Sequence, residues 1–256
     1  MKLHLPVGLF RAVLRLMFAA PAALYAAYTA PTTITLPSES GWDIHIAYSA
    51  DDIYDYNYYS NDKVFRLRGS IVADSDYQLL MYSGSRYFTS YSASSLADFS
   101  TGSSSYRWFE VSSYESLTFN SLGVLNFSDA NYDDGAVIYA EDGSQIKFSN
   151  NYQVVFVNNY SRDDGGAVYF TGSYGLLEMS GNHSVRFENN AANWWGGAIC
   201  YGTMNILLND EVAFVGNTAS SGGAVYNSSI QLSNNGSVDF SGNTASSGGA
   251  VYNSSI

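Results

Sequence analysis

The stretch GNTASSGGAVYNSSI stands at positions 216–230 and again at 242–256, 26 residues further on. A chain that repeats itself at a short fixed period cannot bury the apolar face of one unit alone. Such units stack, and periods of roughly 20 to 50 residues mark solenoids and arrays. The exact copy closes a longer and looser series. Phe-x-x-Asn recurs as FSNN from Phe148, FVNN from Phe156, FENN from Phe187, FVGN from Phe214 and FSGN from Phe240. Gly-Gly-Ala followed by Val or Ile recurs at Gly165–Gly166, Gly196–Gly197, Gly222–Gly223 and Gly248–Gly249, with a weaker copy, NFSDANYDDGAVIY, over 126–139. From Ala136 to Ala167, Ala198, Ala224 and Ala250 the steps are 31, 31, 26 and 26 residues.

Between these marks lie short runs with strand character. Ile230 alternates with Leu232 and Val238 with Phe240, the period-2 signature of a strand with one buried face, and Asn, Gly or Ser bounds each run. No stretch after residue 30 shows a helical apolar stripe. The expected fold class is all-β, a right-handed parallel β-helix in which each repeat is one rung. Equivalent residues then lie one above another at about the 4.8 Å strand spacing. Phe156, Phe187, Phe214 and Phe240 are expected to stack inside the coil, and Asn159, Asn190, Asn217 and Asn243 to form an amide ladder at the adjoining turn. The paired glycines suit a left-handed or closely approached corner. Spacing alone leaves open whether the Ala or the following Val points inward.

The pairing of Phe-x-x-Asn with Gly-Gly-Ala-(Ile/Val) resembles the repeats of the chlamydial polymorphic membrane proteins, over roughly 126–256. The resemblance implies an autotransporter passenger: a β-helix displayed at the outer membrane or cell surface, or released outside the cell, with adhesion to a host protein or glycan as its role. It also implies a C-terminal translocating barrel of alternating strands about ten residues long. None is present, so the chain reads as a passenger fragment tethered through a missing barrel. Were it complete, its last rung would leave an open, uncharged strand edge inviting self-association.

The first 26 residues carry Lys2, His4 and Arg11 before an apolar run and small residues, the pattern of a secretory signal peptide. Arg15 interrupts the apolar run, which is short for a membrane span. Removing Lys2, Arg11 and Arg15 from 11 basic residues leaves 8 against 23 acidic ones, which excludes nucleic acid as a partner. Cys200 is the only cysteine, so no intrachain disulfide forms and packing must hold the chain together. Residues 31–125 fit the repeat poorly and are rich in Tyr and Ser. They are expected to be degenerate N-terminal rungs or a cap, with a Tyr-rich contact surface as the functional reading.

No catalytic motif is present, and an enzyme is not expected; the alternative is a secreted carbohydrate-active β-helix, a polysaccharide lyase or hydrolase. Asp133–Asp134 and Asp163–Asp164 precede the glycine motif in successive repeats, and stacking would gather four carboxylates, a weak case for calcium against a solvated turn. No cofactor is required. Trp194–Trp195 takes the same place in the next repeat, fit either for contact with a sugar or protein or for lateral packing on the coil. Cys200 replaces a tyrosine seen at 169, 226 and 252, which favours a buried thiol over a nucleophile.

Overall fold

The computed structural model describes residues 43–47, 50–57, 62–73, 79–81 and 84–255, all within the compact unit Pro31–Ile256. The signal-peptide segment 1–26 lies outside the described residues. Short strands wind into a parallel β-helix whose rungs stack in three main sheets. Among the described residues the first sheet has eight strands, from Asp43–Ala47 to Ser229–Ser233; the second has seven, from Ile71–Ala73 to Ser237–Ser241; the third has seven, from Leu79–Met81 to Val251–Tyr252. A fourth, narrow ladder of five strands, Asn131–Tyr132 to Thr244–Ser247, bridges the second sheet to the third. One coil shows the plan: Gln145–Ser149, Gln153–Val157, Tyr160–Ser161 and Val168–Phe170, each paired in parallel with its counterpart in the next coil.

Alternation sets which side chains enter the core. In Val168–Phe170 the outer two residues are buried and Tyr169 faces out, while Leu177 and Met179 alone are buried in Leu176–Ser180. Both Ala167 and Val168 belong to the core: Val168 enters from the strand and Ala167 from the corner before it. The weak copy is one residue out of step with the alanine spacing. Ile138 pairs with Val168, so Val137 lies opposite Ala167, and Ala136 takes the place of the second glycine.

The strands Lys63–Leu67, Arg86–Ser90 and Ser116–Asn120, from the Tyr/Ser-rich region, lie in the first sheet in register with those of the repeats. One element departs from expectation. Ala50–Asn57 is an α-helix, packed against Asp43–Ala47, Ile71–Ala73 and Leu79–Met81, the outermost strands of all three sheets. Of its residues whose burial is described, Ala50 and Ile53 are buried and Tyr54 is exposed, and Ala50 and Ile53, one turn apart, do not announce a stripe in the sequence. Among the described residues no helix is long and apolar enough to cross a membrane.

Candidate functional site

The expected columns form. Phe127, Phe156, Phe187, Phe214 and Phe240 stack with ring centroids 4.7–4.8 Å apart, and from Phe156 onward their planes tilt by no more than 4°. Offset face-to-face contact at the strand spacing adds aromatic attraction to plain burial. Phe148 lies elsewhere. It sits in the first sheet and stacks on Phe119 at 5.3 Å, continuing a second column of Phe65, Phe88 and Phe119.

Beside the first column, the side-chain amide of Asn159 donates to Oδ1 of Asn190 at 2.9 Å and to the carbonyl of Phe127 at 3.0 Å. The same Oδ1 accepts the backbone N–H of Asn159 at 3.1 Å. Asn190 repeats the arrangement toward Asn217, and Asn217 toward Asn243. Each buried amide within the run thus satisfies both donors and both acceptor positions, which removes the cost of burying it. A second ladder, Asn151–Asn182–Asn209–Asn235, runs along the corner of the first and second sheets with the same geometry. Its signal was Asn held at a fixed place while the Phe148 position became Met179, Ile206 and Leu232. The residue before each amide is in the left-handed region, at Asn158, Asn189, Gly216 and Gly242 in one ladder and Asn150, Gly181, Leu208 and Asn234 in the other. That accounts for Asn and Gly at this place.

The two glycines of each motif have different tasks. Gly165, Gly196, Gly222 and Gly248 turn the corner with φ near +60°. Gly166, Gly197 and Gly223 instead let coils approach: a Cβ on them would lie 2.1, 2.1 and 2.0 Å from the carbonyl oxygen of Gly197, Gly223 and Gly249 in the next coil.

Outside this frame lies the turn before the glycines. Coil lengths differ here, so only two of the four aspartates come into register. Asp134 Oδ1 accepts the backbone N–H of Asp164 at 3.1 Å, and Asp164 Oδ1 accepts that of Trp195 at 3.0 Å. Asp133 pairs with Arg162 at 3.7 Å, and Asp163 is exposed. Among the described residues no group of three or more His, Cys, Asp or Glu side chains is placed to hold a metal ion. Desolvation raises the pKa of Asp134, and it lifts that of Asp164 to about 6 against the pull of the Trp195 N–H.

Trp194 and Trp195 separate. Trp195 stacks on Tyr226 at 5.0 Å and meets Tyr201 edge-on, whereas Trp194 is 59% exposed. Cys200 holds the tyrosine position between Tyr169 and Tyr226, and it is fully buried. Tyr201 closes the gap edge-on to both rings. Burial, then the nearby Asp164 and Asp134 charges, push the thiol pKa far up, so it stays protonated and unreactive at neutral pH. Further along the surface, Tyr114 and Tyr174 are 85% and 83% exposed.

Fold and surface together define a repeat-built parallel β-solenoid with a saturated amide frame and aromatic side chains on its turns. Residues 153–171, 184–201, 211–228 and 237–254 match the Chlamydia polymorphic membrane protein repeat, so the chain carries four copies of this family's repeat unit. No curated protein and no solved structure matches the chain.

Proposed function

We propose that the chain is part of a surface-displayed passenger of the autotransporter kind, whose work is to present turns to a host-cell protein or glycan. The observation that carries this reading is the division between frame and surface. Buried amides and stacked phenylalanines fix the coils from Gln145 onward, while Tyr114, Tyr174 and Trp194 project from turns into solvent. Large aromatic groups held rigidly on a surface supply contact area at low entropy cost. The family of the matching repeat is named for the membrane, which supports display at the outer membrane or outside the cell.

The test is to fuse the chain ahead of a translocating β-barrel, display it on a bacterial surface and count attachment to cultured epithelial cells. Attachment above that of the barrel alone, reduced when Tyr114, Tyr174 and Trp194 are all changed to Ala, is the expected result. Attachment no greater than that of the barrel alone contradicts it.

A further inference from the structure

The outer turn already holds one cation. The guanidinium of Arg107 lies 4.2 Å from the ring centre of Tyr139 and 5.1 Å from that of Tyr132, and its Nη2 donates to the carbonyl of Asp134 at 3.2 Å. An aromatic face beside an acidic turn thus takes an arginine in this molecule, the arrangement expected of cation–π contact reinforced by a carbonyl dipole.

Further along the axis Ser161 and Tyr169 take the places of Tyr132 and Tyr139, and the acidic turn meets a different aromatic group, without an arginine. Asp164 follows Asp134 in the ladder, and Trp195 follows Asp164. Beside them the backbone N–H of Trp194 donates to the carbonyl of Asp163 at 3.1 Å, which seats the turn bearing the exposed indole on the turn bearing the exposed Asp163. Among the described residues neither Asp163 nor Asp164 forms an ion pair with a basic side chain, and no other ring packs on Trp194. The formal net charge of −12 favours approach of a basic group over an acidic one.

The geometry points to Trp194 with Asp163 and Asp164 as a docking corner for an arginine side chain carried on a basic segment of a partner protein. This deepens the surface-binding reading above and rests on it. The indole supplies the face, and the two carboxylates supply the counter-charge that Asp133 has spent on Arg162.

The test uses the full chain and a fluorescein-labelled hexa-arginine peptide, read by anisotropy at physiological salt. Trp194→Ala and Asp163→Asn are each expected to weaken binding about fivefold, and Trp194→Phe to recover part of the loss. Asp129→Asn, the same charge change at an exposed turn elsewhere, is expected to alter it less than about twofold. Unchanged circular dichroism and urea midpoint show that each variant is folded. The inference is overturned if Trp194→Ala binds like the parent, if Asp129→Asn weakens binding as much as Asp163→Asn, or if a neutral oligosaccharide displaces the peptide. Displayed chains that attach to cells equally well with and without Trp194 overturn the corner and leave the display reading standing. Displayed chains that attach to no cells while peptide binding keeps its dependence on Trp194 do the reverse.

Discussion

At the residue scale, Leu208 breaks its own column. Its φ is +57°, where the equivalent positions carry Asn150, Gly181 and Asn234, and its side chain is 62% exposed, so burial returns little for the strain. Leu208→Asn is therefore expected to stabilise the fold by about 1 kcal/mol in urea unfolding, the order of the left-handed penalty for a residue with a Cβ. A loss of stability would contradict this view of the ladder corner. Asp164 makes a second test. Its folded pKa of about 6 lies above the ordinary 3.8, so the folded state holds this proton more tightly than the unfolded chain does. Its ionised form works against folding above about pH 6, and that penalty fades as the pH falls toward 4. Asp134 and Asp163 push the same way, and only the Trp195 N–H opposes them. Asp164→Asn keeps the Oδ1 acceptor and removes the charge; its urea midpoint should exceed the parent's at neutral pH and converge with it near pH 4. A gap that stays constant with pH would rule out this carboxylate as the cause. The pairing of Asp134 with Asp164 could not be read from the sequence in full, because unequal coil lengths carry Asp133 and Asp163 out of register.

At the scale of the element, the sequence spoke clearly where one residue type filled one column. Phe156 to Phe240 and Asn159 to Asn243 were legible because stacking rewards identity between neighbours. The second ladder was hidden because its apolar position changes from Phe148 to Met179 and Ile206, which are fully buried alike, and to Leu232, which is 37% exposed in the last coil. The helix Ala50–Asn57 was hidden for the opposite reason: it is a short cap on the outermost strands, and its form comes from what it packs against. The second glycine of each motif makes a sharp prediction. Gly197→Ala puts a Cβ about 2 Å from a backbone oxygen of the next coil, which no rotamer relieves, and should cost about 3 kcal/mol or prevent folding. Gly181→Asn, at a left-handed corner where the nearest atom is the tip of the Asn150 side chain, should change stability by less than about 1 kcal/mol. Equal effects in thermal melts would mean that the close approach of coils is not what selects the second glycine.

For the whole molecule, the account makes the coil the unit of construction, and the 26-residue duplication is then one coil repeated. Deleting residues 217–242 joins Gly216 to Asn243 and restores the original sequence around the splice, with Val215 still leading into a ladder asparagine. The shortened protein should keep a β-rich circular dichroism spectrum and a cooperative melt, somewhat lower than the parent's because one nearest-neighbour interface is lost. Loss of cooperative folding would show that these coils are not interchangeable. The claim beneath all of this is that the asparagines lie directly over one another and satisfy each other away from water. Side-chain amide hydrogen exchange of Asn159, Asn182, Asn190, Asn209 and Asn217, followed by NMR, tests it most directly. The account predicts protons that persist as long as those of the core strands, with cross-peaks between Asn190 and Asn217; exchange at the rate of free asparagine would contradict it.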